Sequence, residues 1–472
     1  MPGKDCLVLN NNYTQEDILK LIKNPNAVRN YAHFDYRTSF SSKVDSITNP
    51  NFVSHYSFYP LIEKELRRIK HKNGTKVKDP RRVSYSAHLD RCIYQYYSFL
   101  LNEKYNKLAC SNEFNNSAIA YRTNLKGYSN CSFAQRAFSS MRTLKNCYVL
   151  ISDFKHFFET LDHKYLKQEL SKLFIDKLIP NDHYRVFKSA TKYSLWDIQD
   201  LLAFHDLPYS KTGIKRLNQR KKVLTANDFK SLVKHSIKQP WKDKGLAGIP
   251  QGLPISGILA NIYMIDFDTI MTAFAKELNG LYMRYSDDLI LICPTEQSLL
   301  DGKLLITKLC GNTIPNLTIH PDKTHLYRVQ NNKVFLLAEN LESKKQSQIS
   351  YLGFSFDGAI VKLRQQTIGR YYRKTYRAIK KLYGKKYPPS KNRVNALYIR
   401  YSSWGKNPSS NIKVRQSAGI SNRHGNFLTY VERAQAAFPE DPISIDTKHH
   451  KRRIRQKAQA ARAKIDNNKT SK

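Results

Sequence analysis

The chain of 472 residues is poor in acidic side chains: 38 Asp and Glu stand against 79 Lys and Arg, and the formal net charge is +41. So large a positive surplus repels itself unless a polyanion neutralises it, which makes nucleic acid the first partner to consider. A membrane surface is the alternative partner, but the sequence shows no amphipathic anchor and no lipidation signal. We therefore expect nucleic acid, and no membrane, as the partner.

Cysteine is also scarce, because only seven are present and none forms a Cys-x-x-Cys pair. The spacing therefore indicates neither a zinc knuckle nor a disulfide framework, which fits a reducing, cytoplasmic location. The run 245–265 has no charge and could span a bilayer by its length. Its prolines and glycines, with Gln251, Ser256 and Asn261, argue against a span, and we predict a loop that enters a buried helix.

At this length the chain is too long for one ordinary core, so two or three subdomains are expected. Residues 1–75 read as a helical lead-in, with a short amphipathic helix over 16–22 and a second helix from Tyr59 through Ile69. Apolar positions at helical spacing predict a further helix over 88–108. None of these segments carries an evident chemistry.

The most informative stretch is Tyr285-Ser286-Asp287-Asp288, which lies between two short apolar runs. The pattern predicts two buried strands joined by a tight turn. Neighbouring side chains of a strand point to opposite faces, so the two aspartates converge only if the chain bends there. Buried carboxylates are usually compensated by a divalent cation. The alternative is an Asp-rich hairpin turn exposed to solvent.

A second apolar run, 149–154, ends with another acid, Asp153. Two strands that each present an aspartate at one end can lie side by side and hold two metal ions roughly 4 Å apart. That arrangement suits nucleotidyl transfer, because one ion lowers the pKa of the attacking hydroxyl and the other neutralises the leaving pyrophosphate.

A third motif, Gly248-Ile-Pro-Gln-Gly-Leu-Pro-Ile-Ser256, lies between these two in the sequence. The order of Asp153 with Phe157-Phe158, then Gly-Ile-Pro-Gln-Gly-x-Pro-x-Ser, then Tyr-x-Asp-Asp resembles the palm of reverse transcriptases. It is most similar to the bacterial branch of retrons, group II intron maturases and defence-associated enzymes. The resemblance extends loosely over residues 76–385. It implies an α+β right-hand polymerase with fingers, a palm of antiparallel sheet plus helices, and an α-helical thumb.

The resemblance also implies a domain plan. It places an N-terminal extension and fingers at 1–147, a palm at 148–355, a thumb at 356–447 and a basic, disordered tail at 448–472. The palm carries a basic insertion at about 175–245, which we expect to be flexible and to contact RNA phosphates, with a solvated loop as the alternative. For the tail, the alternative is a helix formed on RNA.

The family's site residues carry over to matching positions. The metal site is expected at Asp153, Phe154, Asp287 and Asp288, with two Mg²⁺ ions for which Mn²⁺ can substitute, and Lys323 is expected to act as general acid. The predicted nucleotide contacts are Lys76, Lys78, Arg81, Arg122, Phe158, Gln251 and Gly252. The predicted primer and template contacts are Tyr285, Gly353, Arg370, Arg373 and Lys374. A ring at Phe158 would clash with a 2′-hydroxyl and so select deoxynucleotides.

Less specific interpretations compete with these roles. The cations of 70–85 can form a solvated basic hairpin around Asn73-Gly74, Phe157 and Phe158 can both be core residues, and Lys323 can be a surface lysine.

The resemblance implies an RNA-directed DNA polymerase that takes dNTPs, an RNA template and a DNA product. A dedicated, structured non-coding RNA in antiviral (phage) defence is the favoured role, since Ser286 stands where many relatives carry Ala and no RNase H-like or endonuclease motif follows. The alternatives are a group II intron-type or retron enzyme, an RNA-dependent RNA polymerase and a non-catalytic RNA-binding scaffold. A homo-oligomer and a partner protein both stay open, as does the primer.

Overall fold

The computed structural model describes residues 13–22, 24–66, 69–72, 75–78, 80–125, 127–243, 248–383, 389–401 and 426–470. The chain divides into two compact units, which are described separately. Unit 1 comprises Met1–Lys126, Leu150–Cys293 and Gln297–Thr324, and unit 2 comprises Gly127–Val149, Pro294–Glu296 and His325–Lys472.

Unit 1 mixes helices with two antiparallel hairpins and a mixed sheet. Its helices are α1 Gln15–Leu21, α2 Val44–Thr48, α3 Pro50–His55, α4 His88–Ser111, α6 Phe157–Thr160, α7 His163–Ser171, α8 Asn181–Thr191, α9 Ile198–Ala203, α10 Lys211–Leu217, α11 Ala226–Ser236, α12 Pro240–Asp243, α13 Ser256–Tyr263, α14 Ile265–Glu277 and α15 Glu296–Lys308, whose first residue belongs to unit 2. Its strands are β1 Leu61–Leu66, β2 Ile69–Lys72, β3 Thr75–Lys78, β4 Arg81–Tyr85, β6 Leu195–Asp197, β7 Leu281–Tyr285 and β8 Asp288–Cys293. Strand β5, Cys147–Asp153, begins in unit 2 and ends in unit 1.

The strand neighbours of unit 1 place the acidic motifs together. Strand β8 lies between β5 and β7, and its antiparallel pairing with β7 joins Tyr285 to Asp288. A separate sheet has the order β4-β1-β6, and β2 and β3 form a hairpin. The turn residues of that hairpin, 73–74, lie outside the described residues. The paired arms confirm the hairpin that the Asn-Gly signal predicts.

The segment from Tyr59 to Ile69 is not the helix that we predicted. Leu61–Leu66 form strand β1, which pairs antiparallel with β4 and parallel with β6. Ile62 is the centre of this arrangement, because it is fully buried and lies opposite both Tyr85 and Trp196. Partners distant in the sequence therefore decide the conformation here. The predicted helix over 88–108 is confirmed as α4.

The predicted flexible insertion at 175–245 is a folded part of unit 1 instead. Its helices and β6 surround an apolar cluster that includes Trp196, Leu201 and Leu217, and this cluster also contains Phe34 from the N-terminal segment. Helix α11 begins with a capping box, in which Thr225 and Asp228 each bond the other's backbone nitrogen. The basic residues of α10 are exposed, whereas the insertion as a whole is held by its core.

The apolar helix after the glycine-rich loop is two helices instead of the single long one predicted. Helices α13 and α14 meet at Met264 with a bend of 55°. No single helix among the described residues is long and apolar enough to cross a membrane, although this bent pair reaches the required length and composition.

Unit 2 contains two groups of antiparallel strands and a set of helices. Its strands are β9 His325–Gln330, β10 Lys333–Leu337, β11 Ser343–Ser347, β12 Ile349–Tyr351, β13 Phe354–Phe356 and β14 Val361–Leu363, and its helices are α5 Asn130–Leu144, α16 Gln365–Tyr383, α17 Lys391–Arg400, α18 Phe427–Ala437 and α19 His450–Thr470. Strands β11, β10 and β9 are neighbours in that order, and β12, β13 and β14 form a separate three-stranded sheet. Short 3₁₀ or π turns of the two units occur at Ser41–Lys43, Phe114–Asn116, Ile175–Lys177, Leu309–Thr313, Pro321–Lys323 and Ile445–Thr447.

The basic tail is helical where we predicted disorder. Ile454 and Ala458 of α19 are buried in one cluster with Ile379 of α16 and Leu397 of α17. Apolar residues at this i, i+4 spacing give α19 a buried stripe, and packing of that stripe explains the order.

Cys110 is disulfide-bonded, which the cysteine spacing does not predict and which is uncommon in a reducing cytoplasm. The described free cysteines are Cys92, Cys131, Cys147, Cys293 and Cys310.

Candidate active site

The predicted aspartate hairpin forms with a two-residue turn. Tyr285 pairs with Asp288 across β7 and β8, which leaves Ser286 and Asp287 as the turn. Ser286 has a φ of +63°, a left-handed conformation that is uncommon for a residue other than glycine. Asp287 is half-buried and Asp288 is exposed. The turn therefore presents two carboxylates at the end of a buried hairpin.

Asp153 lies at the end of β5, directly beside this turn. The backbone nitrogen of Phe154 donates to the carbonyl oxygen of Asp287 at 3.1 Å, so the two strand ends are hydrogen-bonded. Burial raises the pKa of the Asp287 carboxyl, and the negative charge of Asp153 raises it further. The negative charge of Asp153 beside Asp287 is the kind of charge that a divalent cation neutralises.

The donor set fits magnesium held partly by substrate. Among the described residues there is no group of three or more His, Cys, Asp or Glu side chains that could hold a metal ion. Magnesium is commonly bound through one or two carboxylates, with waters and substrate phosphates completing its shell. Asp153 and Asp287 match that pattern, and Asp288 is the third acid nearby.

The ammonium group of Lys323 contacts the same carboxylate. Its Nζ lies 2.7 Å from Oδ1 of Asp153, and both side chains are partly exposed. Lys323 ends a short 3₁₀ turn whose start is anchored, because the backbone nitrogen of His320 donates to the carbonyl oxygen of Asp153. The lysine is therefore within the site, and its role as general acid stays a prediction.

The Gly-Ile-Pro-Gln-Gly loop is hydrogen-bonded to the segment that follows Asp153. The nitrogens of Gly248 and Ile249 donate to the carbonyl oxygens of Glu159 and Phe158, at 2.9 and 2.7 Å. A Cβ on Gly248 would lie 2.1 Å from the Phe158 carbonyl oxygen, so only glycine permits this approach. The backbone of Phe158 and Glu159 is thereby held against the loop.

The other end of the loop contacts strand β4. The backbone nitrogen of Ser84 donates to the carbonyl oxygen of Gln251 at 2.9 Å, and Nε of Arg81 donates to Oε1 of Gln251 at 2.6 Å. Gly252 has a φ of +122° and lies against the Ser84 carbonyl. The structure thus joins the predicted nucleotide contacts Arg81, Gln251 and Gly252.

A family model described as reverse transcriptase (RNA-dependent DNA polymerase) matches residues 71–356. The matched segment is more than half of the chain and contains all three acidic residues and the glycine-rich loop. The chain belongs to the reverse transcriptase family. The predicted family and the predicted α+β fold are confirmed, and the enzyme class is confirmed at the level of the family.

Several solved telomerase structures are similar to this reverse transcriptase. Apo telomerase from Candida tropicalis, truncated from its C-terminal domain, has a TM-score of 0.40 and 14% identity, over 70% of this chain and 61% of that chain. Telomerase from Candida albicans, in complex with a TWJ fragment of telomeric RNA, has a TM-score of 0.38 and 14% identity, over 73% of this chain and 52% of that chain. The chain thus spans less than two thirds of either relative's length. Comparison with curated protein sequences gave no match.

Phe157 and Phe158 have different environments in this reverse transcriptase. Phe157 is buried and its ring lies 5.5 Å from that of Phe154, in a stacked arrangement. Phe158 is only partly buried and meets Phe157 edge-on. The alternative that both rings are core residues is therefore wrong, and Phe158 remains the candidate for contact with the sugar.

Arg122 is hydrogen-bonded within unit 1, and its role as a nucleotide contact stays a prediction. Its guanidinium donates to the side chains of Asn106 and Asn115 and to the carbonyl oxygen of Ala118, and it lies 5.1 Å from the ring centroid of Tyr105. These partners occupy its donors inside unit 1. Nearby acceptors that the sequence does not reveal therefore orient the Arg122 guanidinium toward the interior of unit 1.

The remaining predicted contacts lie elsewhere. Lys76 and Lys78 belong to β3, but their side chains lie outside the described part of the chain. Tyr285 is half-buried directly before the turn. In unit 2, Gly353 occupies the β12–β13 turn with a φ of +95°, and Asn130 donates to the neighbouring Leu352 carbonyl oxygen at 3.0 Å. Their contacts with nucleotide, primer and template stay predictions.

The three predicted thumb cations are exposed on α16. Arg370, Arg373 and Lys374 are on the solvent side of the helix, whereas Ile368 and Tyr372 are buried. This division gives α16 one apolar and one basic face, as the sequence period predicts.

Sequence reasoning missed the polar residues behind the catalytic turn. Arg284, Asp268 and Asn261 are almost wholly buried, and Tyr121 contacts Ser286 through their hydroxyl groups at 3.1 Å. The signal that could have found them is Arg284 itself, a charged residue in the otherwise apolar run of β7, since a buried arginine requires a partner.

Proposed function

We propose that this chain is an RNA-directed DNA polymerase that extends a 3′-hydroxyl with deoxynucleotides. The observation that carries the proposal is the placement of Asp153 and Asp287 at adjacent strand ends, with Phe154 hydrogen-bonded to Asp287. Adjacent acids of this kind, next to a glycine-rich loop, suit phosphoryl transfer by positioning and electrostatic stabilisation.

We propose that Asp153, Asp287 and Asp288, with the backbone at Phe154, hold two Mg²⁺ ions, for which Mn²⁺ can substitute. When bound, the ions supply charge neutralisation for the attacking 3′-hydroxyl and for the leaving pyrophosphate. Asp287 binds a metal ion best when its carboxyl is ionised. Because burial raises the pKa of this carboxyl, polymerase activity should decline as the pH falls.

The chain's own cations serve the leaving group. The Lys323 ammonium rests on Asp153 and can move to the pyrophosphate, to which it donates a proton. Arg81 is exposed and oriented by Gln251, which suits it to hold phosphate oxygens. Lys76 and Lys78 are proposed to act with it.

Deoxynucleotide selection is assigned to Phe158. Its carbonyl oxygen is held by Ile249 and its ring is packed against Phe157, so the ring cannot easily move away from an added 2′-hydroxyl. Gln251 and Gly252 on the same loop would contact the base pair or sugar.

Template and primer are proposed to bind through phosphates in unit 2. The exposed cations of α16 include Arg370, Arg373 and Lys374, and further lysines and arginines are exposed on α19. Such contacts fix a duplex without reading its sequence. With roughly six to ten phosphate contacts, affinity for RNA would fall about 10³- to 10⁵-fold between 50 and 200 mM salt.

The test is primer extension on an RNA template with Mg²⁺, comparing dNTPs with rNTPs. We expect dNTP incorporation by the wild type, and increased rNTP use by Phe158→Ala because the steric exclusion is lost. Preference of the wild type for rNTPs would indicate an RNA-dependent RNA polymerase, and no incorporation of either would leave the scaffold alternative.

We further propose that the enzyme belongs to the bacterial branch and copies a structured non-coding RNA in antiviral defence. The support is the resemblance of the motifs, Ser286 in the catalytic turn and the large basic surplus. Purification from the native host, followed by sequencing of co-purifying RNA and DNA, tests this role. Recovery of one dedicated RNA with its DNA copy is expected, whereas recovery of intron RNA would favour the maturase alternative.

A further inference from the structure

Arg284 is a charged side chain that lies wholly inside unit 1, directly behind the catalytic turn. It forms an ion pair with Asp268 of α14, and neither side chain has exposed surface. Its Nε and Nη2 donate to Oδ1 and Oδ2 of Asp268 at 2.9 and 2.6 Å. Its Nη1 donates to the carbonyl oxygen of Ser286 at 2.9 Å. One guanidinium therefore connects a packed helix to the residue that precedes Asp287.

The backbone conformation of the turn depends on such side-chain contacts. Ser286 has a φ of +63°, and left-handed residues other than glycine persist where surrounding contacts over-determine them. Its carbonyl oxygen is held by Arg284 and its hydroxyl by the hydroxyl of Tyr121. The Ser286 carbonyl is thus held by a side chain of β7, and its hydroxyl by a side chain from outside the hairpin.

The partners of Arg284 are themselves fixed. Asp268 also accepts a hydrogen bond from the hydroxyl of Tyr282 at 2.8 Å. Asn261 of α13 accepts from Nη2 of Arg284 at 3.3 Å and donates to the carbonyl oxygen of Ala120 at 2.7 Å. Asp268 and Asn261 are therefore each hydrogen-bonded to Arg284 and to one further residue.

Stability alone does not explain this pair. Removing two charges from water is expensive, and an apolar pair of similar volume in a protein core is often as stable or more so. A planar guanidinium, however, can bind a carboxylate through two nitrogens and a carbonyl through the third. The arrangement observed at Arg284 uses all three nitrogens in this way.

We propose that Arg284 and Asp268 are positioning residues of the polymerase, which fix the Ser286 carbonyl and thereby the direction of the Asp287 carboxylate. Neither residue touches substrate. The inference rests on the proposed function, because it takes Asp287 to be a metal-holding residue. The inference adds two buried residues, sixteen positions apart in the sequence, to those that orient the metal-holding carboxylates.

Arg284→Lys is the first test, because it keeps the positive charge beside Asp268 but has a single nitrogen in place of the fork. If the pair positions the turn, kcat falls by about 100-fold while KM for dNTP changes little. The apparent Kd for Mn²⁺, measured with the metal alone, should rise about 10- to 100-fold, as for other residues that orient metal ligands.

A second variant separates positioning from packing. Arg284→Met combined with Asp268→Asn removes both charges together and leaves an acceptor for the hydroxyl of Tyr282. We expect its thermal midpoint to recover relative to Arg284→Met alone, because no charge is left buried and unpaired. Its kcat should stay low. Recovery of kcat together with the midpoint would show a packing role only and overturn the proposal.

The matched control is Lys276→Gln, also on α14, which breaks an exposed ion pair with Glu113. It should change neither kcat nor Mn²⁺ affinity. The proposed function is refuted, and the positioning role supported, if the wild type binds Mn²⁺ but makes no DNA while Arg284→Lys binds Mn²⁺ more weakly. An active wild type, with Arg284→Lys unchanged in both kcat and Mn²⁺ affinity, refutes the positioning role and leaves the function intact.

Discussion

Gly252 is the position where the glycine-rich loop approaches strand β4 most closely, and its replacement gives a sharp prediction. Its φ is +122°, which L side chains rarely adopt, and a Cβ there would lie 2.2 Å from the carbonyl oxygen of Ser84. Real Cβ atoms essentially never come closer than 3.0 Å to another heavy atom of this kind. Gly252→Ala must therefore move the loop away from β4, since the obstructing atom is backbone.

The size of the effect follows from what the contact contains. Forcing the backbone into a disfavoured region costs about 1–3 kcal/mol, and disturbing the bond from Ser84 to Gln251 costs about 0.5–1.5 kcal/mol. We expect the free energy of unfolding to fall by about 1.5–4.5 kcal/mol. Movement of the loop away from β4 also displaces Gln251 and its partner Arg81. We therefore expect kcat/KM for dNTP to fall about 100-fold.

Urea unfolding and steady-state dNTP incorporation measure the two effects. Gly311→Ala is the control, because a Cβ there has nothing within 4 Å and the backbone is not left-handed. It should alter the free energy of unfolding by no more than about 0.5 kcal/mol. If Gly252→Ala behaves like this control in both assays, the close approach of loop and strand is not a property of the active protein.

Three further predictions concern other parts of the chain. Burial raises the pKa of Asp90 to about 8 from an ordinary 3.8. The stability that the protonated Asp90 contributes is therefore fully present below about pH 4 and is lost at about 1.4 kcal/mol per pH unit as the pH rises toward 8. The difference in the free energy of unfolding between wild type and Asp90→Asn, measured in urea, should show this slope. Trp196→Ala should destabilise the insertion by about 3–5 kcal/mol in the same assay, whereas a flexible insertion would show almost no change. Ile454→Ala should cost about 2–5 kcal/mol and reduce the helical circular dichroism of α19, and an unchanged spectrum and stability would contradict its packing in unit 2.

The catalytic hairpin could be predicted because its signals are local. Apolar runs on both sides of Tyr285-Ser286-Asp287-Asp288 leave few alternatives to two strands and a turn. Asp153 follows the same logic at the end of β5. Family motifs then bring Gln251 and Arg81 to the site, and the structure hydrogen-bonds them to each other.

The errors of the sequence reading have a common cause in distant partners. Leu61–Leu66 fits a helical stripe as well as a strand, and pairing with Trp196, far along the chain, decides for the strand. The orientation of the Arg122 guanidinium likewise depends on acceptors at Asn106 and Asn115 that the sequence does not reveal. Ile454 in the basic tail is a single apolar signal whose burial depends on α16.

The measurement that tests the central claim most directly is Mg²⁺-dependent dNTP incorporation on an RNA template by the wild type, Asp287→Asn and Asp301→Asn. Asp301 is an exposed acid of α15 that accepts a hydrogen bond from Gln297, so its variant controls for loss of a negative charge. The account predicts an active wild type, an unchanged Asp301→Asn and a loss of more than about 100-fold for Asp287→Asn. Incorporation by Asp287→Asn at the wild-type rate would contradict it.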